Sequence, residues 1–137
     1  MECTYANTPN FNFDNKIFTA KCVKVYDGDT ITAAFVVFGE YYKFNIRMNG
    51  YDSPEIKTKD PTEKKWAKVA RDLLADTVLD KIVTLTCKDY DKYGRILGEI
   101  EIDGINVNQM MIDSGYCRVY AGGHKNEWDF SQFAEPK

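Results

Sequence analysis

The sequence predicts an α+β protein in which five strands close a small barrel and a helix is inserted between the third and fourth strands. Three observations carry this. Three alternating, β-branched and aromatic stretches follow one another with tight turns between them. An amphipathic helix with a strong start signal comes next. Two more strands and a short helix complete the order.

Residues 1–15 are polar and read as an arm, with Phe11 and Phe13 as its only anchors. Phe18 to Tyr26 reads as the first strand, and the adjacent Cys22-Val23 breaks period two, which predicts a bulge. Asp27-Gly28 is a two-residue hairpin signal. Thr30 to Phe38 forms the second strand, and Gly39-Glu40 turns the chain again. Tyr42 to Met48 is the third, with Phe44, Ile46 and Met48 on one face and Lys43, Asn45 and Arg47 on the other.

Asp60-Pro61-Thr62-Glu63 then supplies a capping residue, a proline at the first helical position and a glutamate three residues after the cap. Trp66, Val69, Ala70, Leu73, Leu74 and Val78 follow at helical spacing and define one apolar stripe. Ile82 to Lys88 and Arg95 to Ile102 are the fourth and fifth strands, joined by the polar turn Asp89 to Gly94. A short helix from about Val107 to Ser114 ends at Gly115, a residue suited to a left-handed cap. This order is that of an OB-type five-stranded β-barrel, with one or two C-terminal helices. The expected organisation is one domain over 1–137: an arm at 1–15, barrel and helices at 16–120, and a tail at 121–137. Trp128, Phe130 and Phe133 would pin the tail to the body.

At 137 residues and 44% hydrophobic, the chain can bury a core without disulfide or metal staples. Its 18 basic and 21 acidic residues give a net charge of −3, which excludes a histone-like polycation. An enzyme acting on nucleic acid needs only a local positive path, so that class stays open. Cys3, Cys22, Cys87 and Cys117 have neither zinc-finger nor thioredoxin spacing, and His124 is the only histidine. The opening residues have no basic and apolar signal pattern, and no apolar run reaches membrane length. The expectation is an intracellular chain with reduced thiols, no membrane association, no obligate protein partner and a monomeric state.

The chemistry-bearing residues gather where the first hairpin opens. Asp29 follows the turn, and Asp52-Ser53-Pro54-Glu55 lies just past the third strand, which runs antiparallel to the second. Three carboxylates, Asp29, Asp52 and Glu55, are therefore expected at one rim. Crowded like charges need a neutralising cation, and carboxylate oxygens suit calcium or magnesium. Arg47 and Arg95 would add two guanidinium groups able to stabilise charge on a phosphodiester.

Tyr26-Asp27-Gly28-Asp29-Thr30, then Arg47 with Asp52-Ser53-Pro54-Glu55, then Asp91-Lys92-Tyr93-Gly94-Arg95 closely resembles the staphylococcal (micrococcal) nuclease family. The resemblance runs from about Ala20 to Val119 and includes Asp103-Gly104 and the helix ending at Gly115. It implies a calcium-dependent endonuclease hydrolysing DNA and RNA and leaving 3′-phosphate ends. By that resemblance, Asp29, Asp52 and the backbone carbonyl of Ser53 would ligate calcium. Glu55 would be the general base or water-orienting group, and Arg47 and Arg95 would contact the reacting phosphate. Lys92 and Tyr93 match positions that contact a terminal phosphate.

Two departures stand out. The segment between Glu55 and the helix is shorter than in secreted bacterial members. The base-stacking tyrosines after the last helix are not both matched, which leaves Tyr120 as the substitute. Lys57 belongs to a basic stretch with Lys59, Lys64, Lys65, Lys68 and Arg71, and lies close enough to Glu55 to meet a phosphate backbone. The competing reading is a catalytically silent barrel that binds nucleic acid or a protein partner. Such a module has no reason to keep three carboxylates and two arginines.

Overall fold

A computed structural model describes residues 1–136. The long strands are β1 (Ile17–Asp27), β2 (Thr30–Val37), β3 (Glu40–Met48), β5 (Ile82–Tyr90) and β6 (Ile96–Ile102). Short strands β4 (Tyr51–Asp52), β7 (Ile105–Asn106) and β8 (Arg118–Val119) lie between and after them. The helices are α1 (Pro61–Val78) and α2 (Val107–Asp113). The sheet runs β3-β2-β1-β5-β6, and a parallel pairing of β3 with β6 closes it into a five-stranded barrel of the expected OB type. Closure removes the open edges that a five-stranded sheet would expose. Among the described residues one helix, α2, follows the barrel.

Most of the local expectations hold, with three informative shifts. The β1–β2 register slips between Cys22 and Lys24, the bulge marked by the broken alternation. The first turn lies one residue later than Asp27-Gly28 suggests. Asp27 closes β1 opposite Thr30, and the loop is Gly28-Asp29. Gly28 is needed for closeness rather than for its backbone angle. A Cβ there would stand 2.7 Å from Cβ of Ala70 and 2.8 Å from Cβ of Ser53.

The second shift concerns α1. Its buried stripe is Trp66, Ala67, Ala70, Leu74 and Val78, while Val69 and Leu73 flank it half-buried. Ala70 on this stripe lies directly against Gly28, so a small side chain is needed at that point of contact. Ala70, Leu74 and Val78 join the barrel core with Ile31, Phe35, Ile46, Leu85 and Ile100. Each large aliphatic side chain buried there contributes about 1.5–3 kcal/mol.

The third shift is at the start of α1. Asp60 caps the helix as expected, accepting from the Thr62 N–H at 3.0 Å, with Pro61 at the first helical position. Glu63 does not complete the reciprocal box. The Asp60 N–H goes to Thr58 Oγ1 at 3.2 Å, and Glu63 Oε2 accepts from the backbone N–H of Glu55 at 2.9 Å.

Segments near both ends pack onto the folded body. Phe13 is buried among Phe18, Phe35 and Phe44, with ring centroids 5.8, 6.2 and 5.4 Å away. Phe11 covers it at 5.0 Å and reaches Phe38 at 5.7 Å. At the other end, Phe133 packs on Trp66 and Tyr116, and Tyr116 Oη donates to the Ala134 carbonyl at 2.7 Å. No helix among the described residues is long and apolar enough to cross a membrane.

Candidate active site

Backbone pairing brings the rim together. The β2–β3 register sets Thr30 opposite Arg47, and the Met48 N–H donates to the Asp29 carbonyl at 2.8 Å. After β3 the chain turns at Gly50 and enters β4, which pairs with β8 so that Asp52 faces Arg118. Tyr51, fully buried, donates its hydroxyl to the Gly28 carbonyl at 2.7 Å. These contacts lock the first hairpin against the Tyr51–Ser53 segment.

Arg47 is buried, although strand alternation places it on the face of Lys43 and Asn45, both exposed. The reason is local. At this end β6 pairs along β3, with Arg47 opposite Leu97, and the chain returns over the strand end through Tyr51. The guanidinium donates to the carbonyls of Met48 (3.1 Å) and Tyr51 (2.9 Å). It also faces Asp29 Oδ2 at 3.3 Å and Asp52 Oδ1 at 3.5 Å. One planar cation thus stands between two buried carboxylates, an arrangement suited to arginine and not to lysine.

The environment of Asp29 favours its charged form. Burial pushes the carboxyl up, but the Arg47 charge and hydrogen bonds from Asp27, the Ser53 N–H and the Thr30 hydroxyl outweigh it and lower the pKa. The Ser53 N–H and Thr30 Oγ1 donate at 3.0 Å each. Asp27 takes the opposite course: burial, then the neighbouring Asp29 charge, push it up to about 8. Of the two, Asp27 is the carboxyl whose surroundings favour the protonated form.

Asp52 is 2% exposed and is held by three cations. Besides Arg47, Arg118 Nη2 reaches Oδ2 at 3.0 Å and Lys125 Nζ reaches Oδ1 at 3.1 Å. Arg118 is in turn stacked under Trp128, 3.8 Å from the ring centroid.

Arg95 is set by the turn before it. Asp91 Oδ1 accepts from the N–H groups of Tyr93 (2.8 Å) and Arg95 (2.9 Å), and Asp91 Oδ2 pairs with Arg95 Nε at 2.6 Å. Gly94, at φ +81°, supplies the left-handed position the turn requires. Arg95 Nη1 then donates to Thr30 Oγ1 at 3.3 Å, so Thr30 links the second guanidinium to Asp29.

A cleft of about 600 Å³ opens at this rim, lined by Arg47, Glu55, Lys92, Tyr93, Arg95 and Tyr120 among others. Glu55 is exposed and also borders a second cleft shared with Asp52, Glu63, Arg118 and Lys125. Lys57 is exposed and lines neither cleft. The expected carboxylate trio is therefore a pair plus one. Asp29 and Asp52 meet across Arg47, whereas Glu55 stands at the cleft wall. Among the described residues no three acidic, histidine or cysteine side chains converge closely enough to hold an ion by themselves.

Carboxylate and backbone carbonyl oxygens are the hard donors that calcium takes, and Asp29 and Asp52 are the two carboxylates this rim would offer one. Asp52 pairs with an ammonium and two guanidinium groups. Four contributors escape the sequence reading: Asp27, Glu63, Arg118 and Lys125. Glu63 has the signature of a helix cap, and Lys125 lies in a tail without periodicity. Only Arg118 carries a usable signal, as a charged residue following the Gly115 turn.

Fold and rim together define the class: an OB-type α+β barrel with a charged site at one end, of the staphylococcal nuclease type. A family model described as staphylococcal nuclease homologue matches residues 45–135, and the chain belongs to that family. An uncharacterized endonuclease of Escherichia coli is 37% identical over 101 residues, covering 73% of this chain and 60% of the relative. An uncharacterized protein of Methanocaldococcus jannaschii is 31% identical over 93% of this chain and 71% of its own length. A staphylococcal-like nuclease of Arabidopsis thaliana is 34% identical over 83 residues, 61% of this chain and 24% of that protein. The chain thus spans less than two-thirds of the Escherichia coli relative and about a quarter of the Arabidopsis one.

Proposed function

We propose that the protein is a calcium-dependent endonuclease that hydrolyses phosphodiester bonds in DNA and RNA and leaves 3′-phosphate ends. The observation that carries this reading is the shared cleft, in which Arg47, Arg95 and the exposed Glu55 face one opening beside Asp52.

A phosphodiester entering the cleft meets two guanidinium groups whose orientations are fixed before it arrives. Arg47 is held by two backbone carbonyls and Arg95 by Asp91. Such preorganised cations stabilise charge that builds on the phosphoryl oxygens as water attacks in line. Glu55 accepts a proton from that water or orients it, and its exposed position leaves room for a water molecule. Lys92 and Tyr93 bind a neighbouring phosphate, and Tyr120 offers a ring to a base at the cleft edge. Asp29, Asp52 and the Ser53 carbonyl would hold calcium, which when bound supplies Lewis-acid stabilisation of the phosphoryl group.

The test is incubation of purified protein with single-stranded DNA and with RNA, in calcium or in chelator, with end-group analysis of the products. Cleavage in calcium alone, giving 3′-phosphate ends, is expected. Intact polymer at every calcium concentration overturns the proposal.

A further inference from the structure

Lys125 reaches the rim from outside the barrel. The chain leaves β8 with the Tyr120 N–H donating to the Gly50 carbonyl at 3.0 Å, and Tyr120 Oη donates to the Gly123 carbonyl at 2.7 Å. This local turn places Lys125 Nζ 5.1 Å from the Tyr120 ring centroid and 3.1 Å from Asp52 Oδ1. The three cations on Asp52 differ in how they are held. Arg47 is buried and fixed by two carbonyls. Arg118 stands opposite Asp52 in the β4–β8 ladder and is covered by Trp128. The Lys125 side chain is 41% exposed, and among the described residues its polar contact is Asp52. It is a flexible point charge on the carboxylate oxygen that also faces Arg47.

We propose that Lys125 is an internal competitor for the divalent ion. Its ammonium occupies Asp52 Oδ1, and calcium must displace it to gain that oxygen, so Lys125 sets the affinity of the metal site. This rests on the calcium reading given above. Lys125 borders both clefts at the rim, so displacement moves a positive charge off the carboxylate while leaving it beside the opening where an anionic polymer would lie. Arg47 is held by two buried carbonyls and the Arg118 guanidinium by Trp128, which leaves Lys125 as the least fixed of the three cations.

The test is calcium binding to the full chain by titration calorimetry without nucleic acid, a readout independent of turnover. The proteins compared are wild type, Lys125→Met, Lys125→Arg and Lys92→Met. The last removes an equal charge from the same cleft without touching Asp52.

Lys125→Met is expected to bind calcium about fivefold more tightly, the upper range for a partly exposed ion pair. Lys125→Arg is expected to stay near wild type, and Lys92→Met to change the affinity by less than half as much on a logarithmic scale. Equal affinities for wild type and Lys125→Met would overturn the role of Lys125 while leaving the calcium reading intact. Equal tightening by Lys92→Met would also overturn it, as a general charge effect. Absence of calcium binding by all four proteins would overturn both readings together.

Discussion

The carboxylate of Glu63, in the first turn of α1, accepts a hydrogen bond from the backbone N–H of Glu55 at 2.9 Å. Its other oxygen lies 3.4 Å from the Thr58 hydroxyl, so one side chain ties both ends of the short segment before the helix. Glu55 projects from this segment with an exposed side chain, and the segment belongs to no strand or helix. In the proposed mechanism Glu63 is therefore a positioning residue for Glu55. Glu63→Ala is expected to lower kcat about tenfold with KM little changed, as for a small misplacement of an acid–base group. Glu63→Gln keeps an acceptor oxygen and should recover most of the rate. A thermal melt checks that both variants fold.

The two groups assigned to the chemistry itself should have larger effects. Glu55→Gln and Arg95→Ala are each expected to reduce turnover by about two orders of magnitude or more. Glu55 is exposed, so its variant should melt at the wild-type temperature. Steady-state cleavage of single-stranded DNA checks both, and near-normal rates in a folded variant would remove that residue from the mechanism.

Arg47 should matter for folding as well as for turnover. Arg47→Met leaves Asp29 and Asp52 buried without the cation between them, and is expected to cost about 3–5 kcal/mol of stability. Adding Asp29→Asn to that variant removes one of the opposed charges and should restore part of the loss. Denaturant unfolding of the two single variants and the double variant measures the coupling.

Asp91 gives a pH-dependent prediction. Burial pushes its carboxyl up, but the N–H groups of Arg95 and Tyr93 and the Arg95 guanidinium outweigh it and hold it below its ordinary value of 3.8. A depressed folded value means that the stabilisation is present above the ordinary value and is lost as pH falls through the folded one. Solvent reaches this pair, so Asp91→Ala should cost roughly 1–2 kcal/mol near neutral pH. The difference from wild type should narrow as pH drops below 3.8, which denaturation across a pH series would show.

The barrel was readable because its signals are local. Alternation, the Cys22-Val23 irregularity, the Asp60-Pro61 helix start and Gly115 each act over a few residues, and each appears near its predicted place. The pairing of Asp29 with the end of β3 was also readable, since an antiparallel return fixes it. What stayed hidden depends on closure. Arg47 is buried by the β3–β6 pairing and the return through Tyr51, contacts that strand alternation does not encode. Glu63 fits a cap by spacing, and only the path of Pro54 to Lys59 lends it to Glu55. Arg118 and Lys125 meet Asp52 across more than sixty residues of sequence separation, with no periodicity to announce the contact.

The rings of Phe13, Phe18, Phe35 and Phe44, with Phe11 over them, form a plug at one end of the barrel, and Thr30 and Arg47 stand at the other. An aromatic seal and a charged mouth thus stand at opposite poles, and the mouth adds its own stabilisation through buried Arg47. Exposed residues of the loops around the mouth can therefore vary without touching the aromatic seal, provided the Asp29–Arg47–Asp52 contacts are kept.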